Sequence, residues 1–221
     1  MPINEIPPIG SASDARSLCW SCREEPGAGP FCVHCVRIQP IAALGDYFTL
    51  FGLEKSYVLD SAGLKNIFYD LSRKFHPDYY SGRLPEEQRL ARDNTAYLNN
   101  ALNTLSDPLK RAEYLVSLLS GSYSGSPSPP KELFEEILEV GELMEADSLS
   151  PDQRSLLENA RDNFRMRQQE LFDSLASLFV ELKNGSKAAR SGIESRLDNI
   201  KYLRTILSRI DQALGKRDDS L

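Results

Sequence analysis

Through the second half of this 221-residue chain, apolar residues recur at spacings of three and four, a period that admits little other than helices. Ile193, Leu197, Ile200, Leu203, Leu207, Ile210 and Leu214 form one unbroken stripe. Leu157, Phe164, Leu171, Leu175, Leu178 and Leu182 form a second. Pro151-Asp152 suits its first turn and Asn184-Gly185 its end. Leu133, Ile137, Val140 and Met144 make a shorter third. These spacings predict helices over 131–146, 151–183 and 187–214, packed at shallow angles as a three-helix bundle over 131–215. No alternating strand pattern occurs outside a cysteine-rich segment, so the chain reads as all-α.

The first half carries helical patterns on both sides of His76-Pro77-Asp78. Leu64, Phe68, Leu71 and Phe75 fall on one stripe, with Lys65, Arg73 and Lys74 off it. Pro77 biases His76 away from helical geometry, so the first helix stops there. A loop follows to Leu84, and Pro85-Glu86-Glu87 opens a second helix with proline and acid in its first turn. That helix carries Leu98, Ala101, Leu102 and Leu105 and stops at Asp107-Pro108. Asp46 to Leu53 reads as a short capped helix ahead of this pair. Together these segments make a domain over 45–119. The Ser, Gly and Pro of 120–130 read as a solvated linker.

Residues 1–16 read as irregular, because Pro2, Pro7, Pro8 and Gly10 break any long helix. In the module over 17–38, Cys19-x-x-Cys22 and Cys32-x-x-Cys35 have the spacing of a tetrathiolate site, each turn supplying two sulfurs to one tetrahedral ion. Pro26, Gly27, Gly29 and Pro30 suit the reversal that brings the pairs together. One structural zinc is the reading adopted; iron on the same ligands, two disulfides and four free thiols are the alternatives. His34 sits inside the second pair and reads as a bystander. So short a segment lacks a sufficient core, which makes the metal a source of its folding.

A formal charge of −6 argues against nucleic-acid binding, which is driven by clustered positive charge. The longest apolar run is too short for a membrane span. Met1 to Leu18 shows no secretory or mitochondrial leader pattern, and no Walker glycine loop for ATP occurs. On the helix over 131–146, assigning Leu133, Ile137, Val140 and Met144 inward leaves Phe134 and Leu138 one turn apart, flanked by Glu135, Glu139, Glu142 and Glu145. This is either a docking strip for a partner with a basic rim, or part of a wide buried face.

Two helices joined at His76-Pro77-Asp78 resemble the J domain of co-chaperones that activate DnaK-type ATPases. The words Tyr47-Phe48 and Phe51-Gly52-Leu53 are similar to the start of J domains, and the run from Leu105 through Asp107-Pro108 to Leu115 resembles the HscB branch, which serves iron–sulfur cluster assembly. The paired cysteines resemble those of eukaryotic members. One departure is Leu102, where J domains carry an aromatic residue. The resemblance implies a co-chaperone that is not itself an enzyme. Lys65, Arg73, Lys74, His76, Pro77 and Asp78 would face a DnaK-type mitochondrial chaperone; Phe134, Leu138, Glu139, Glu142 and Tyr202 would hold an IscU-type scaffold. It implies the mitochondrial matrix, with a cytoplasmic form as the alternative, and leaves homodimerisation open. The rival functions are a J protein for another client, a zinc-ribbon adaptor and a thiol oxidoreductase.

Overall fold

The computed structural model describes residues 18–146 and 148–215, so the irregular stretch expected over 1–16 lies outside them. The described residues are helical with no named strand, and they divide into two compact units. One unit holds residues to Lys55 together with Leu59–Asp107; the other holds Ser56–Val58 and the chain from Pro108.

In the first unit every helix start has a local cause. The Asp46 carboxylate caps α1 (Tyr47–Leu50) by accepting the Thr49 amide at 3.1 Å. Asp60 caps α2 (Ser61–Phe75) through the Ala62 amide at 3.0 Å. Pro85 is the first residue of α3 (Pro85–Ser106), and Glu87 reaches back to accept the Leu84 amide at 3.3 Å. Helices α2 and α3 pack as a hairpin, with Phe48, Leu64, Phe75, Leu98 and Leu105 fully buried. Phe68, Leu71 and Leu102 are only half-buried, so the α2 stripe is narrower than its periodicity suggested.

The cysteine segment belongs to this same unit. Buried Asn94 of α3 accepts the Ile41 amide at 3.0 Å and donates to the Gln39 carbonyl at 2.9 Å. Arg37 pairs with Glu87 at 2.6 Å. A segment expected to rely on metal alone is thus also fastened to α3 by hydrogen bonds.

The second unit contains α4 (Pro108–Ser120), α5 (Phe134–Met144), α6 (Pro151–Lys183) and α7 (Lys187–Gly215). Helices α6 and α7 form a long hairpin, and α4 and α5 each pack on both. The bundle therefore has four helices where the sequence suggested three. The extra one, α4, had been grouped with 45–119. Its buried Leu109, Ala112, Leu115 and Val116 show one covered face, and Glu113 pairs with Lys201 of α7 at 2.6 Å. Periodicity identifies a face that needs covering but not which helix covers it.

Two further expectations change here. The stretch over 121–130 has no regular structure but is not a free linker: Tyr123 donates its hydroxyl to Asp198 at 2.6 Å, Lys201 sits 4.4 Å over its ring, and Ser128 donates its amide to the Asp198 carbonyl. Burial, then the Asp198 carboxylate, pushes the Tyr123 hydroxyl well above its ordinary pKa. On α6, Leu157, Phe164, Leu171 and Leu175 are buried as expected, but the face then turns to Phe179, leaving Leu178 and Leu182 half-buried. Phe179 stacks on Tyr57 at 5.3 Å, a ring supplied by the short segment Ser56–Val58.

Candidate functional site

The four thiols meet at one point. Cys19 and Cys35 lie 3.6 Å apart, as do Cys22 and Cys32, and all four sulfurs fall within 4.8 Å of one another. A disulfide needs about 2.05 Å, so these cysteines are unbonded. Four sulfurs held about 2.3 Å from one ion stand about 3.8 Å apart, so the cage fits a tetrahedral metal. His34 is exposed and outside the cluster.

Each CxxC turn is closed by a backbone hydrogen bond, Arg23 to the Cys19 carbonyl and Val36 to the Cys32 carbonyl. Both closing residues sit in the left-handed region, Arg23 at φ 66° and Val36 at φ 61°, which is unusual for any non-glycine and strained for a β-branched side chain. An antiparallel bridge pairs Phe31 with Ile38, and the Trp20 indole donates to the Ile38 carbonyl at 2.7 Å. Buried Gln39 donates its amide to the Cys19 sulfur at 3.3 Å.

Burial pushes the Cys19 thiol up, but the Cys22 and Ser21 amides and the neighbouring Cys35 and Cys22 thiols outweigh it and leave it at about 6. For Cys22 the Glu24 amide lowers the value, while burial and its three cysteine neighbours carry it to about 12. One thiol ionises readily and the next resists. Holding four thiolates together requires a cation.

The His-Pro-Asp loop joins α2 to α3. Pro77–Tyr80 form one 3₁₀ turn, closed by the Tyr79 amide on the His76 carbonyl at 3.0 Å. The His76 and Asp78 side chains are exposed, 52% and 87%. His76 Nδ1 lies 3.4 Å from the Asp78 amide and 3.5 Å from the Asp78 carboxylate, so the two exposed side chains stand together at the tip. Side chains hold the loop from both flanks: Tyr80 donates to the Lys74 carbonyl, Thr95 to the Phe75 carbonyl, and Gln88 to the Ser81 and Arg83 carbonyls.

Of the basic residues expected beside the loop, all are exposed, but they do not share one face. At 100° per residue, Lys65 and Arg73 lie about 80° apart with exposed Tyr69 between them, whereas Lys74 points about 180° from Lys65. Arg73 also pairs with Asp70. Tyr69 was passed over in the sequence, although its i+4 spacing from Lys65 marks it. Arg37 and Thr95 were missed because their partners are remote in sequence; Gln88, whose partners lie five and seven residues back, has no pattern that marks it.

In the second unit, Phe134 and Leu138 are 53% and 56% exposed, while Leu133, Ile137, Val140 and Met144 are buried. The wide buried face is thereby excluded, and an apolar pair stands on α5 with exposed Glu135, Glu139 and Glu142 around it. Tyr202 is half-buried on α7, next to buried Leu203.

A helical hairpin closed by an exposed His-Pro-Asp loop defines the class: this is a J-domain protein. No family model matches the chain. It is 32% identical over 178 residues to the iron–sulfur cluster co-chaperone protein HscB homolog of Arabidopsis thaliana, covering 79% of this chain and 66% of that one. It is 30% identical over 169 residues to the iron–sulfur cluster co-chaperone protein HscB of Mus musculus, covering 74% and 70%. It thus spans just under two thirds of the plant relative's length. The crystal structure of human co-chaperone protein HscB matches with a TM-score of 0.73 at 25% identity, over 88% of this chain and 97% of the human one. Chaperone HscB from Vibrio cholerae matches in fold, with a TM-score of 0.61 at 24% identity, over 76% and 96%. The chain belongs to the HscB family of iron–sulfur cluster co-chaperones.

Proposed function

We propose that this protein is a co-chaperone of iron–sulfur cluster assembly that stimulates ATP hydrolysis by a DnaK-type chaperone and delivers an IscU-type scaffold to it. The observation that carries this reading is the exposed His76–Asp78 pair on a loop whose backbone is held by hydrogen bonds from both flanks. A rigid loop with free polar tips can meet a partner without first ordering itself.

Lys65 and Arg73, sharing a face with Tyr69, steer the loop toward an acidic surface of the chaperone. Asp78 accepts charge-assisted hydrogen bonds there, and Pro77 fixes the turn. ATP is bound and hydrolysed by the chaperone. On the second unit, Phe134 and Leu138 supply an apolar contact for the scaffold, and Glu139 and Glu142 its acidic rim. Tyr202 is the weaker contact. Carrying both surfaces on one chain raises the scaffold's concentration at the chaperone.

The four cysteines hold one structural zinc, supported by their sulfur spacing and the closed ligand set. The mitochondrial matrix is proposed as the compartment on the family resemblance. The test is His76→Gln: helix content and scaffold binding should match wild type while stimulation of a DnaK-type ATPase is lost. Retained stimulation refutes the mechanism.

A further inference from the structure

The cysteine module touches both ends of the His-Pro-Asp loop. Upstream, the ring of Phe31, next to Cys32, lies 6.2 Å from that of Phe75, the residue before His76. Downstream, Arg37 pairs at 2.6 Å with Glu87, whose side chain is 6% exposed. The same Glu87 oxygen accepts the Leu84 amide and so closes the start of α3, where the loop ends. Between these anchors lies a groove of about 410 Å³, with Cys35 and Val36 on one side and Tyr79 and Tyr80 on the other.

The loop is held by hydrogen bonds at its flanks and not by apolar burial. Tyr79, Arg83 and Leu84 are exposed and Pro77 and Tyr80 only half-buried, so it contributes nothing to the core. Its internal backbone bonds are three turn contacts, Tyr79 to His76, Ser81 to Asp78 and Arg83 to Tyr80. The bonds that fix its shape come from residues at its ends, Tyr80 on the Lys74 carbonyl, Gln88 on the Ser81 and Arg83 carbonyls and Glu87 on the Leu84 amide, so the loop depends on what holds those ends.

Arg37 is in turn placed by the second cysteine turn. Its carbonyl accepts the Cys32 amide at 2.9 Å, and it follows Val36, whose left-handed backbone persists only while that turn is enforced. Were the thiol cluster to open, Val36 would be released and Arg37 displaced, leaving the buried Glu87 carboxylate with the Leu84 amide but without its guanidinium partner at the first turn of α3.

We infer that the tetracysteine module is a positioning element for the His-Pro-Asp loop, acting through Arg37–Glu87 and Phe31–Phe75, so that metal loading and loop order are coupled. The functional consequence rests on the loop being the chaperone-contacting end; the coupling itself does not.

Amide hydrogen exchange on the full chain tests it. Metal-loaded wild type is compared with chelator-treated wild type and with metal-loaded Arg37→Met. Exchange at Tyr79, Ser81 and Arg83 should rise about tenfold in both altered states, with amides of α6 and α7 unchanged. Arg37→Lys, which keeps the charge, should return most of the protection, and Arg37→Met should retain its metal. Phe31→Leu provides a second variant at the other anchor and should raise exchange at the same amides. Unchanged exchange in the loop after chelation, with residues 19–38 deprotected, overturns the inference. So does deprotection by Arg37→Met spread evenly along α2 and α3, since that reports general destabilisation. A wild-type chain that fails to stimulate a DnaK-type chaperone refutes the functional reading and leaves the exchange result standing.

Discussion

Replacing Phe134 and Leu138 together with alanine removes the apolar pair that stands on α5, and the structure sets how much that should matter. An aromatic side chain offers about 200 Å². The exposed half of Phe134 can then bury about 100 Å² on docking, worth about 2.5 kcal/mol at ~25 cal/mol per Å². Leu138, also about half exposed, adds ~1 kcal/mol of the roughly 2 that complete burial of a leucine provides. A sum of ~3.5 kcal/mol is roughly a 300-fold loss in Kd. The halves already buried contribute similar amounts to the fold, so the variant's Tm will be lower; binding is compared at a temperature where its helix content equals wild type. Calorimetric titration against an IscU-type scaffold is the assay, with Val140→Ala as control. Val140 is 3% exposed on the same helix, so its truncation should lower stability and spare affinity. Scaffold affinity within twofold of wild type in the double variant, or an equal loss in Val140→Ala, refutes the assignment of this strip.

Val36→Gly should relieve the left-handed strain at the second cysteine turn, worth on the order of 1 kcal/mol, and make the protein surrender its metal to a chelator more slowly. Unchanged resistance would mean that the turn is not strained. Elemental analysis of protein purified without added metal should find about one zinc per chain; iron in its place would overturn the zinc assignment. Asp46 is pushed up by burial, but hydrogen bonds from Lys55 and Thr49 more than reverse this, so its carboxyl titrates below the ordinary 3.8. A depressed carboxyl contributes stability that is complete above the unfolded value and is lost as pH falls through the folded one. Asp46→Asn should therefore lower Tm at neutral pH and flatten its fall below about pH 4; an unchanged acid limb would show that Asp46 is not the group responsible.

Helix limits were readable in the sequence wherever their cause is local. Asp46, Pro85 and Pro151 mark starts. Gly185, at φ 88°, ends α6. The metal cage was readable because CxxC spacing fixes two sulfurs per turn. The placement of Lys74 away from Lys65 was also readable, since it follows from the helical period alone. Other contacts had no local signature. Tyr57 pairs with Phe179, and Arg37 with Glu87, across long stretches of chain. The serine-rich stretch over 121–130 has a linker's composition, yet the Tyr123 hydroxyl and the Ser128 amide both fasten it to Asp198 of α7.

The sequence by itself determined the helices, the loop triplet between two of them and the thiol set, because hydrogen-bond periodicity, caps and ligand spacing act over a few residues. Which faces were covered was left to the tertiary structure. Whether Phe134 and Leu138 were buried, which unit took α4, and what the cysteine module rests against all depended on partners brought together by packing. Burial is a property of the neighbours as much as of the residue, and the neighbours exist only once the chain has folded.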